Sequence, residues 1–201
     1  GRLLPLLDAD AFAADPTWLV GFSDITALHG WAQVQGIASL HAPVASTYGQ
    51  ASAPTQQGMW RALEQREAGP EADHAAIVGG NLSVFYSLLG TPYFPPIEGA
   101  WLLLEDLDEY LYHVDRMLLA FRLAGVFDRV RGVVVGGFTE LHDNTIADGQ
   151  AVDNPFGQDV RQMLAEHVPA DTPVVHGAPV GHLAENAVSY THLTLPTTYT
   201  V

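Results

Sequence analysis

The stretch "GAWLLLEDLDEYLYHVDRMLLAFRLAG" (99–125) constrains the fold most. Its apolar run Trp101–Leu104 is too short for a buried helix and reads as a strand covered on both faces. Leu111, Val114, Leu118 and Phe121 then recur at steps of three, four and three, the spacing of one helix face. Asp108 is placed to cap that helix and Gly125 to end it. A doubly buried strand feeding an amphipathic helix is the repeating unit of a parallel sheet.

The same alternation runs along the rest of the chain. "TWLVGF" (17–22) reads as a strand, followed by a helix with Ile25, Leu28 and Trp31 on one face. "GIASLHAPV" (36–44) is a second strand stopped by Pro43, and "ASTYGQASAPTQQG" (45–58) has the composition of a loop or linker. "MWRALEQREAG" (59–69) reads as a short helix and "PEADH" (70–74) as a loop. "AAIVGGNLSVFYSLLGTPY" (75–93) supplies strand, glycine turn and helix, and "RVRGVVVGGF" (129–138) another buried strand. A long loop (139–155), a helix (156–168) and a strand running into the loop "GAPVGH" (177–182) follow. The expectation is an α/β chain: residues 1–45 from an N-terminal parallel-sheet domain, 46–74 a linker region, and 75–187 a second α/β domain, with a cleft between the two.

Both ends stand out. The chain opens on "GRLLPLLDAD" as though cut inside an element, so it is expected to lack its natural start. Apolar surface on the Leu19–Val20 strand is then expected to be exposed. "VSYTHLTLPTTYTV" (188–201) resembles the translation of a sequencing-library adapter, and is expected to be non-native and to pack poorly, with Leu193 and Leu195 outside the core.

Composition removes whole classes of function. Of 201 residues 48% are hydrophobic, enough for a sizeable core. The 23 acidic against 8 basic residues give a formal charge of -15, which repels phosphate backbones, so nucleic acid is not expected as a partner. No apolar run approaches the ~20 residues that span a bilayer, so no membrane role is expected. Without cysteine there are no disulfides, thiolate metal sites or cysteine nucleophiles.

Chemistry must therefore come from hydroxyls, imidazoles and carboxylates. Ser23 sits where a strand delivers a residue to a tight turn ahead of a helix, as a nucleophile or as a helix cap. A serine nucleophile needs a base and an acid to orient it, and two residues stand at strand exits: Glu105 after "WLLL" and His182 after Gly181. Asp106, Asp108 and Glu109 read instead as partners of the following helix dipole. Glu140, His142 and Asp143 match no named metal spacing and read as a solvated loop, so no metal is expected. "GGN" (79–81) lacks the rest of a phosphate-binding loop and reads as close packing of strand on helix. Trp60, Trp101, Tyr110 and Tyr112 read as core.

Three segments in order resemble the LD-carboxypeptidase family of serine peptidases: "GFSDITALH" with the following "HAP", "GGNLSVFYSLLGTPY" leading into "LLLEDLDEYLYHVDRML", and "GAPVGHLAEN". The resemblance implies a Ser-Glu-His triad of Ser23, Glu105 and His182, with the backbone N–H of Asp24 in the oxyanion hole and no cofactor. It implies release of D-alanine from muropeptide tetrapeptides in the cytoplasm during wall recycling, by a protein that is a homodimer at full length. Within the family, the microcin-immunity type, which cleaves an amide on a nucleotide toxin, is the alternative activity. A non-catalytic module that binds peptidoglycan peptides is the other reading. His113 stands where relatives often carry arginine, and the family's glycine-rich loop ahead of the nucleophile strand is absent here.

Overall fold

The computed structural model describes residues 1–65, 76–183, 185–186 and 189–190. In chain order the helices are α1 (Ala9–Ala14), α2 (Thr26–Val34), α3 (Ala45–Tyr48), α4 (Ala53–Gln65), α5 (Leu82–Tyr86), α6 (Leu111–Leu123) and α7 (Val160–His167). The strands are β1 (Val20–Gly21), β2 (Leu40–His41), β3 (Ile77–Asn81), β4 (Trp101–Leu107), β5 (Gly132–Thr139), β6 (Val174–His176) and β7 (Ser189–Tyr190), and short 3₁₀ turns cover Leu4–Leu6, Ser23–Ile25 and Ile146–Asp148. The chain is α/β, as its alternating pattern predicts.

Two sheets carry the fold. In the first, β1 runs parallel to β2 with Gly21 opposite His41, and β7 lies antiparallel on the other edge of β2. The second has the order β3-β4-β5-β6, all parallel. Alternate residues of its strands feed opposite faces. Leu102, Leu104, Val133 and Val135 join Phe85, Leu118, Phe121 and Met163 of the helices in the main core. Trp101, Leu103, Val134 and Val175 pack on the other face with Ala178 and Val180 of the loop after β6. This two-sided burial is what the unbroken apolar run of β4 encodes.

Several local readings change. The segment 45–58, expected as loop, contains α3 and the first turn of α4. Pro54 is tolerated because it lies in the first turn, where its missing N–H has no helical acceptor, and the Ser52 hydroxyl accepts the Thr55 N–H at 3.3 Å. Asp108 does not cap α6: the helix starts at Leu111, while Asp108 adopts φ +60° and binds His142. Leu19 and Val20 are half-buried rather than exposed, Leu19 against the main core and Val20 beside Leu40 and Ala62. Trp101 is core, but Trp60 is exposed on α4 and donates to the Tyr48 hydroxyl. Ser189 and Tyr190 pair with β2, and Leu193 and Leu195 lie outside the described residues. Among the described residues, no helix is long and apolar enough to cross a membrane.

Candidate active site

Glu105 sits at a break in the β4–β5 ladder. Leu104 pairs with Val135 but Asp106 pairs with Phe138, so Glu105 faces two residues, Gly136 and Gly137. A bulge of this kind re-aims a side chain beside a functional site. The two glycines also let the loop after β6 lie down on β5. A Cβ on Gly136 would come within 2.5 Å of the Val180 carbonyl oxygen, and one on Gly137 within 2.7 Å of Leu183 Cγ. Ala178 N–H donates to the Val135 carbonyl and Gly137 N–H to that of Val180.

This docking carries His182 over Glu105. Gly181 adopts φ +104°, and a Cβ there would fall 2.8 Å from both Cβ and Cδ of Glu105. Only glycine permits the approach, and His182 Nδ1 then lies 2.7 Å from Glu105 Oε2. With Nδ1–H donating to the carboxylate, Nε2 is the nitrogen left to accept a proton. Glu105 is fully buried, and its Oε1 has no hydrogen-bond partner among the described residues. The hydrogen bond to Glu105 holds the His182 pKa above its ordinary value against partial burial, and the charges of Glu105 and Asp106 add to that. Asn186 fastens the loop from behind: its Oδ1 accepts the Gly181 N–H at 2.9 Å, and its own N–H reaches the Thr55 hydroxyl of α4.

Ser23 stands at the exit of β1 with φ +60°, a left-handed conformation that few non-glycine residues adopt. It opens the 3₁₀ turn; Phe22 occupies the cap position, and its side chain makes no capping bond. The turn's first hydrogen bond runs from Ile25 N–H to the Phe22 carbonyl, which leaves the Asp24 N–H over. Gly21 permits the tight fold-back, since a Cβ there would sit 2.7 Å from Ile25 Cγ1. The Phe22 ring packs against the His182 ring at 4.8 Å between centroids. The turn that bears Ser23 is thus pressed against the imidazole held by Glu105.

Two buried histidines beneath this turn went unread in the sequence as candidates. His29 Nε2 lies 2.9 Å from the Gly21 carbonyl oxygen and its Nδ1 2.7 Å from Ser39 Oγ, tying α2 to the strand that ends at Ser23. His41 is buried beside Phe22, with no partner for either ring nitrogen among the described residues. Burial lowers the pKa of His29 to about 4 and that of His41 to about 3, where the neighbouring His29 and His182 add to the effect. Both folded values lie below the unfolded 6.5. The unfolded chain therefore takes up protons first, and stability is lost as pH falls from 6.5 toward 4 and then 3. We expect the thermal midpoint to fall steeply over that window, and less so in His41→Leu; an equal fall in the variant would refute the assignment.

The other sequence candidates lie elsewhere. His142 Nε2 lies 2.6 Å from Asp108 Oδ1, and Asp143 Oδ1 accepts the N–H groups of Asn144 and Phe156, so these two side chains organise their own loop; Glu140 is exposed with φ +51°. Gly79 and Gly80 serve close packing, as read: a Cβ on Gly79 would overlap the Leu103 carbonyl. Asn81 caps α5 by accepting the Val84 N–H, and His113 pairs with Glu109 on α6. Tyr110 and Tyr112 are half-buried and stack on each other.

Comparison with known proteins agrees with this geometry. The family model of the LD-carboxypeptidase C-terminal domain matches residues 74–195, and that of the N-terminal domain matches residues 1–42. A Synechocystis relative is 30% identical over 185 residues, 86% of this chain and 61% of that protein. The murein tetrapeptide carboxypeptidase of Pseudomonas aeruginosa is 30% identical over 209 residues, 92% of this chain and 64% of that protein. The chain thus spans somewhat over three-fifths of the length of these relatives. The crystal structure of muramoyltetrapeptide carboxypeptidase from Oxalobacter formigenes superposes with a TM-score of 0.79 at 26% identity, covering 98% of this chain and 72% of that one. With its strand-exit glutamate and histidine joined, and both family domains matched in order, the chain belongs to the LD-carboxypeptidase family.

Proposed function

We propose that the chain carries the catalytic centre of a serine carboxypeptidase that hydrolyses the amide between an L-centre and a terminal D-amino acid, releasing D-alanine from muropeptide tetrapeptides during cytoplasmic wall recycling. The observation that carries this reading is the 2.7 Å bond between His182 Nδ1 and buried Glu105, with the Ser23 turn packed against the same imidazole. The murein tetrapeptide activity named for the Pseudomonas relative supports the substrate class.

In this reading Ser23 Oγ attacks the scissile carbonyl carbon while His182 Nε2 takes its proton. Glu105 holds the ring and stabilises the imidazolium. The carbonyl oxygen becomes an oxyanion to which the Asp24 N–H donates. Collapse breaks the C–N bond as His182 passes the proton to the departing amine, leaving an ester on Ser23. A water then attacks that ester with His182 again as base, and the proton returns to Ser23 Oγ. The strained φ at Ser23, about 1–3 kcal/mol of backbone cost, is in keeping with a side chain held out of the turn for attack.

Release of D-alanine from a D-alanine-terminated tetrapeptide, followed against pH, tests this. Because the base form of His182 does the work and its pKa is raised, kcat/KM should fall on acidification with a midpoint above 6.5. No release of D-alanine, or an acid limb below 6.5, would count against the proposal.

A further inference from the structure

The buried polar groups outside the triad form one connected path. Asp106, next to Glu105 on β4, is 1% exposed. Its Oδ1 accepts from Asn81 Nδ2 at 2.7 Å and from Leu107 N–H at 2.9 Å, and its Oδ2 accepts from Ser83 N–H at 3.0 Å. Asn81, at the end of β3, donates its own backbone N–H to Thr26 Oγ1 at 3.1 Å. Thr26 is fully buried and immediately follows the turn that starts at Ser23. Gly80 makes this last contact possible: it adopts φ +134°, and a Cβ on it would lie 2.6 Å from Thr26 Oγ1.

We propose that Asp106, Asn81 and Thr26 form a positioning network that fixes the distance between the Glu105 bulge on one sheet and the Ser23 turn on the other. A buried carboxylate is costly, and an apolar residue in its place is often no less stable, so stability alone gives Asp106 little reason to be charged. Position gives a reason. Its three donors come from β3, from α5 and from the backbone just past the bulge, so the carboxylate pins β4 on both sides of Glu105's neighbour. The two sheets supply different members of the triad, and a misplacement of about 1 Å costs on the order of 100-fold in rate. Asp106 has a second effect, through charge. The titratable groups that face His182 are Glu105 and Asp106 from β4 and His41 from β2, and the Asp106 charge helps to hold the imidazole pKa up.

This inference rests on the serine peptidase reading, and three variants of the full chain separate the two. Thr26→Val removes the acceptor for Asn81 N–H, and should lower kcat about 10- to 100-fold with KM changed less than about threefold and the acid limb unmoved. Thr26→Ser keeps the hydroxyl and should restore most of the rate. Asp106→Asn should lower kcat by a similar factor and also move the acid limb to lower pH, a shift that a purely structural defect would not produce. Equal losses in Thr26→Val and Thr26→Ser, or an acid limb unmoved in folded Asp106→Asn, would overturn the network. Should Asp106→Asn fail to fold, the Thr26 pair decides alone. A parent chain without Ser23-dependent D-alanine release would overturn the peptidase reading, whereas an active parent with unaffected variants would overturn this inference only.

Discussion

Glu105→Gln is expected to lower kcat by about 10⁴-fold while leaving the fold in place. The substitution keeps size and shape at a fully buried position. It changes one thing, the donor and acceptor pattern facing His182. If the amide NH₂ occupies the place of Oε2, His182 Nδ1 must accept from it, and the ring proton moves to Nε2, the nitrogen that has to take the serine proton. If the amide oxygen stays toward His182, the NH₂ takes the place of Oε1, which has no partner among the described residues, and a buried donor goes unsatisfied. The variant must choose between a wrong tautomer and a buried polar cost. Steady-state kinetics with far-ultraviolet circular dichroism checks this; a loss under about tenfold in a folded variant would show that Glu105 does not orient the base.

Gly181→Ala should damage stability and activity together. At φ +104° a side chain is strained by about 1–3 kcal/mol, and here the added Cβ would also overlap the Glu105 side chain. Relief requires Glu105 or the His182 loop to move, which separates the pair. A loss of about 2–5 kcal/mol in urea unfolding and of at least about 100-fold in kcat is expected. Gly177→Ala is the matched control, because it has φ +75° with open space around the new Cβ. That variant should lose about 1 kcal/mol and keep its rate. Equal losses in the two variants would mean that the overlap with Glu105 does not matter.

How far the sequence disclosed this arrangement depends on whether the cause was local. The β4–α6 unit was legible because burial on two faces and a helical stripe are both written in consecutive residues. Glu105, His182 and Ser23 were legible as residues at strand exits, a position that follows from element order alone. The bulge was not, because it arises from the register of β4 against β5, and nothing near Glu105 announces that two glycines will face it. For the same reason Asp106 read as a helix-dipole partner, while its actual contacts come from Asn81 and Ser83, more than 20 residues away. Asp108 read as a cap because spacing favoured it, but a bond to His142 across 34 residues competes for its side chain. In the segment 45–58, small and turn-forming residues outweighed a Ser52 cap and a first-turn proline that open α4. β1 and β2 are two residues each within longer apolar runs, since strand length follows the pairing available and not propensity.

The most direct test of the account is Ser23→Ala, assayed for D-alanine release and, by calorimetry, for binding of the tetrapeptide. The account predicts that release falls by about 10⁶-fold while the peptide still binds, because only the attacking oxygen is gone. Release within about tenfold of the parent by a folded Ser23→Ala chain would contradict it, since the nucleophile would then lie elsewhere.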